Sequence, residues 1–127
     1  MFGKAATPSP LPPIPPDVQL PALLVIHGTA DRVVAPANGR EAAERWAERV
    51  AAKPGKQRTV QRGTRYAATI TDYRKDGRLV ATHCEIDQLA HAWSGGAASQ
   101  PFSDAKGPDA SRMIWGFVGK EFCRETE

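Results

Sequence analysis

Two short stretches combine side chains that can do chemistry with small neighbours: His27-Gly28-Thr29-Ala30-Asp31 and Leu89-Ala90-His91-Ala92-Trp93-Ser94-Gly95-Gly96. Each follows a segment that reads as a strand, the place where α/β sheets gather their functional groups. A carboxylate and an imidazole together suit general acid–base work. A neutral ring can take a proton near pH 7 only if its other nitrogen is held in the right tautomer, and a buried carboxylate holds it. On local sequence alone Asp31 fits a plainer role better, capping the turn or the helix after it. His27, at a strand end, and His83, within a strand, read as structural. His91 differs by its loop setting, where small neighbours leave room for a substrate. Trp93 suits an aromatic wall for an acyl or polymer chain, with packing under the loop as the equal alternative.

The stretches HGTADRVV, LAHAWSGG and GPDASRMIWGF resemble the closing motifs of the poly(3-hydroxybutyrate) depolymerase and related feruloyl and acetylxylan esterases, a family of α/β-hydrolases. The resemblance runs from about Pro21 to Cys123, with both site motifs in the family's order. It implies a serine-type carboxylic-ester hydrolase, acting on a polyester or an acylated carbohydrate, with no cofactor and no metal. Asp31 would orient and stabilise the imidazole of His91, which would serve as general base and then general acid. In that fold the chain runs serine, acid, histidine, with the serine on a G-x-S-x-G elbow before the other two. No such elbow precedes Asp31, and the main-chain donors of the oxyanion hole are lost with it. Ser94 follows the acid and lies in a loop rather than on a strand-to-helix turn, so it is set aside as nucleophile. Ala90 stands where the family usually has glycine.

The expectation is therefore the C-terminal portion of an α/β-hydrolase fold: a small, mostly parallel sheet with a β-hairpin and flanking helices. It would carry a triad's acid and base without the nucleophile, and would be nearly inactive alone. A second reading, from a different class, is a non-catalytic binding or complementation module, whose sheet edge pairs with a second chain or with a copy of itself.

Several elements must position these residues. A proline-rich leader spans 1–21, and the catalytic-domain portion spans 22–127. Leu23 to Ile26 is a short unbroken apolar run, expected as a strand buried on both faces. Asn38 to Ala52 places Ala43, Trp46, Ala47 and Val50 at helical spacing, with Glu41 and Arg45 set to pair along one face, and it ends near Pro54-Gly55. Tyr66 to Tyr73 and Leu79 to Leu89 read as strands joined through Asp76-Gly77, a hairpin signal. Gly95 to Pro108 reads as a loop. Met113, Ile114, Phe117, Val118 and Phe122 then form the stripe of a closing helix, with Asp109 in its first turn. Trp46 and Trp115 read as core or inter-element contacts.

Composition excludes more than it assigns. The chain has 127 residues, 41% hydrophobic and 24% charged, which is ordinary for a globular domain. Its 17 basic and 14 acidic residues are interspersed, so a net charge of +3 makes no nucleic-acid surface. Leu20 to Ile26, broken by Pro21, falls far short of the roughly 20 residues a membrane helix needs. The family is often secreted, yet Met1-Phe2-Gly3-Lys4 runs into proline-rich sequence rather than the apolar run of a signal peptide, so compartment is left open. Cys84 and Cys123 allow either one disulfide or two separate thiols.

Overall fold

Leu23, Val25 and His27 alternate with Leu24, Ile26 and Gly28 along the first strand, so the two sets face opposite sides of the sheet. In a computed structural model, which describes residues 20–125 and the last five of these as backbone alone, each side is covered by one helix. The proline-rich leader lies almost wholly outside the described residues. The elements are β1 (Leu23–Gly28), α1 (Pro36–Glu48), β2 (Lys53–Pro54), β3 (Arg58–Val60), β4 (Ala68–Lys75), β5 (Arg78–Ile86), β6 (Trp93–Ser94), β7 (Ser103–Asp104) and α2 (Ala110–Glu125).

The main sheet runs β1-β5-β4-β2, with β3 also on β4. Only β1 and β5 are parallel, with Gly28 opposite Ile86 at their shared carboxyl end. The other pairings of this sheet are antiparallel, which corrects the expectation of a mostly parallel sheet. The reason is local: Asp76 and Gly77 both take positive φ, 51° and 79°, and so tight a turn returns the chain antiparallel on β4. β2 and β3 then pair with the same strand.

On one face Ala43 and Ala47 of α1 pack with Tyr73 and Ala81, against Leu23, Val25 and Trp46. On the other, Ala68, Cys84, Ile86 and Leu89 pack with Ile26, Ala92 and Met113 of α2. Cys84 is a free thiol that burial pushes up to about 11, far from the reactive range. Cys84 stands as a single buried thiol, and the side chain of Cys123 lies outside the described residues.

Some expectations are corrected in detail. β1 is half-buried rather than buried on both faces, because among the described residues it pairs with β5 alone and forms the sheet edge. α1 starts earlier than expected, at Pro36, and stops at Glu48, where Ala51 turns the chain at φ 58°. Among the described residues Glu41 and Arg45 make no ion pair. The loop after Gly95 contains β7, which pairs parallel with β6. Asp109 caps α2, its Oδ1 accepting the Arg112 amide at 3.0 Å. Trp115 is 75% exposed and Val118 46%, so neither is the core contact expected of it.

Candidate active site

Parallel strands that sit side by side end at the same edge of a sheet, and this brings the two motifs together. Asp31 follows β1 and His91 follows β5, so residues distant in sequence share one edge. Their loops are clasped by main-chain bonds from Thr29 to the Ile86 carbonyl and from Ala30 to the Leu89 carbonyl, each 2.9 Å. The Thr29 hydroxyl adds a bond to Asp87 and accepts the Gln88 amide at 3.0 Å. Gly28 permits this approach: a Cβ there would run into the Leu89 carbonyl.

The two oxygens of Asp31 do separate work. Oδ1 accepts the amides of Val33 and Val34, each at 2.9 Å, which is the capping role local sequence favours, spent on the turn rather than on α1. Ala35 occupies the N-cap of α1 and contributes no side-chain bond. Oδ2 lies 3.0 Å from Nδ1 of His91. It also lies 3.0 Å from Nε2 of His27, the strand-end histidine that reads as structural from sequence.

Burial would raise the pKa of Asp31. The Val34 amide, His91 and the Val33 amide outweigh that, and hold the carboxyl well below the ordinary carboxylate range. Asp31 is therefore ionised at neutral pH and can only accept hydrogen bonds. Nδ1 of His91 carries the proton between them. The His91 side chain is 49% exposed against 5% for Asp31, and its Nε2 makes no hydrogen bond within the described residues.

A cavity of about 680 Å³ lies over this pair. Its walls are mostly apolar: Leu24, Ile26 and Leu89 on the sheet side, Ile114 from α2, and Trp93 with Phe102 at the rim. Trp93, half exposed, is part of the wall rather than packed under the loop. Phe102 and Val34 were not singled out from sequence. A lone aromatic in a polar loop was the available signal for the first, and the HG-x-x-D context followed by Val33-Val34 for the second.

Ser94 is 2% exposed and donates to the Pro108 carbonyl at 2.6 Å, so its hydroxyl is committed to the loop. Among the described residues no serine hydroxyl is hydrogen-bonded to His91. His83 is buried in β5, where burial lowers its pKa, and it takes no part in this cluster. Among the described residues no three His, Cys, Asp or Glu side chains group to hold a metal ion, and no helix is long and apolar enough to cross a membrane.

Fold and site together define an α/β protein with a carboxylate–imidazole pair at the carboxyl edge of two parallel strands. Among models of known protein families and among curated proteins, none matches the chain.

The lowered pKa of Asp31 sets a pH dependence. Its ionised form is bound in the folded state and freer when unfolded. The stabilisation is thus complete above the ordinary value of 3.8 and is lost as pH falls toward the lower folded value. Urea midpoints taken from about pH 6 down to about pH 2 should fall, and fall less steeply in Asp31→Asn. Equal slopes would count against the pairing.

Proposed function

We propose that the chain is the acid-and-base portion of a serine-type carboxylic-ester hydrolase of the α/β-hydrolase fold, similar to the polyhydroxybutyrate depolymerase and feruloyl or acetylxylan esterases. The observation that carries this reading is the 3.0 Å contact from Asp31 Oδ2 to His91 Nδ1 beside an apolar cavity. An ionised, buried carboxylate that fixes one imidazole nitrogen leaves the other free to act as a base.

The reaction runs in two halves. His91 Nε2 takes the proton of a serine hydroxyl as its oxygen attacks the ester carbonyl, and Asp31 stabilises the resulting imidazolium. The tetrahedral oxyanion collapses to an acyl-serine, and His91 gives its proton to the departing alcohol. Water then attacks the acyl group with His91 again as base, releasing the carboxylic acid and restoring the serine. The serine and the oxyanion donors come from polypeptide other than the described residues. Trp93, Phe102 and Ile114 favour an apolar acyl group on a polyester or an acylated carbohydrate.

The test is turnover of p-nitrophenyl acetate by the pure chain, and by the chain co-expressed with the polypeptide encoded immediately upstream. The expected result is background turnover alone and clear turnover in the pair, abolished by His91→Ala. Turnover that survives His91→Ala would sink the proposal.

A second reading, a non-catalytic module completed by a partner chain, has one observation in its favour. β1 is a half-buried edge strand that pairs only with β5 among the described residues, and its backbone can accept another strand. A stable complex in sedimentation that turns over no ester would favour this reading.

A further inference from the structure

We infer that His27 is a positioning residue for His91: it holds Oδ2 of Asp31 in place, so that His91 keeps its proton on Nδ1 and its Nε2 lone pair free. This rests on the proposed acid–base role of the pair.

The inference follows from counting donors and acceptors. Asp31 receives the Val33 and Val34 amides on Oδ1 and two imidazoles on Oδ2. Nε2 of His27 lies 3.0 Å from Oδ2 and 3.0 Å from the Val34 carbonyl. Both partners only accept, so Nε2 carries the hydrogen and shares it between them. His91 faces the same oxygen through Nδ1, and there the hydrogen is on Nδ1. Two histidines on one carboxylate oxygen therefore hold opposite tautomers.

His27 is itself fixed. Its side chain is 10% exposed, and α1 closes on it so nearly that a Cβ at Gly39 would lie 2.6 Å from its Nδ1. The ring ties Oδ2 to the Val34 carbonyl, so the acid and the turn after it move as one piece. With His27 gone, the two amides still grip Oδ1, but Oδ2 loses one of its two partners and is held toward His91 less tightly. An imidazole released from the carboxylate reverts to its intrinsic preference for hydrogen on Nε2, the form that cannot act as base toward a serine.

Long-range proton–nitrogen NMR correlations of the labelled full chain at neutral pH read both tautomers directly. The expected spectrum shows His27 as the Nε2–H form and His91 as the Nδ1–H form. In His27→Leu the Nδ1–H to Nε2–H ratio of His91 should fall by about tenfold, the factor that 1.4 kcal/mol represents. His27→Gln, whose amide N–H reaches the same position, should restore most of it. A His27 on the Nδ1–H form in the unmodified chain overturns the inference whether or not the leucine variant folds. So does a folded His27→Leu in which His91 is unchanged. None of these signals needs ester turnover: an inactive assembly with the expected tautomers speaks against the esterase reading and leaves this one standing.

Discussion

If the proposed esterase assembly forms, Asp31→Asn is expected to lower its kcat by about 10⁴-fold, with KM little changed, and to do so without removing the turn that Asp31 caps. The asparagine carbonyl can take the place of Oδ1 and still accept the Val33 and Val34 amides. Its NH₂ then stands where Oδ2 stood, a donor facing the two ring nitrogens. His91 can meet a donor only with an unprotonated Nδ1, which moves its hydrogen to Nε2, the atom that has to receive the serine proton. The fold survives and the base is silenced. Steady-state kinetics of the co-expressed pair, with the His91 tautomer read by NMR, check both halves. A variant within about tenfold of the parent would show that His91 does not depend on Asp31 for its tautomer.

Gly28→Ala should give the largest loss of stability from a single methyl group, about 3 kcal/mol. The added Cβ meets main chain, and Leu89 Cβ would lie 2.8 Å away. Neither can rotate aside as a flexible side chain could. Leu89 is 2% exposed, and its carbonyl accepts the Ala30 amide at 2.9 Å, so relief requires the whole Leu89–His91 segment to retreat. Retreat separates His91 from Asp31, and activity should fall together with stability. Gly116→Ala is the control: that glycine is in α2 with open space where a Cβ would stand, and alanine there should stabilise by up to about 1 kcal/mol. Urea midpoints of the two variants should move in opposite directions. A Gly28→Ala variant as stable as the parent would mean that the two loops are not held at this distance.

Much of the fold can be read locally because its signals are local. The Asp76-Gly77 turn, the helical spacing of Ala43, Ala47 and Trp46, and the apolar run of β1 depend on neighbours within a few residues. The sheet's mixed character was less legible. An apolar run suggests a strand flanked by parallel neighbours, whereas hydrogen-bond partners belong to pairs of strands, and the hairpin contributes the antiparallel ones. Trp115 shows the same limit: a tryptophan at helical spacing says that a helix has an apolar face, and not that anything covers it.

The same division runs through the site. Which residue types were at hand, an aspartate and a histidine each just past a strand, is written in the chain, because motif and chain order are properties of the string. The chain also sets Asp31 to cap its own turn, since that bond spans only a few residues. Packing in three dimensions sets the rest: the caps and the acid use different oxygens of one carboxylate, Ser94 is spent on the Pro108 carbonyl, and His27 shares Oδ2 with His91. These depend on the parallel register that sets Gly28 opposite Ile86, and on α1 closing over His27. A hydrogen bond has direction and a reach of about 3 Å. Residue type tells what can bond, and only packing brings partners within that reach.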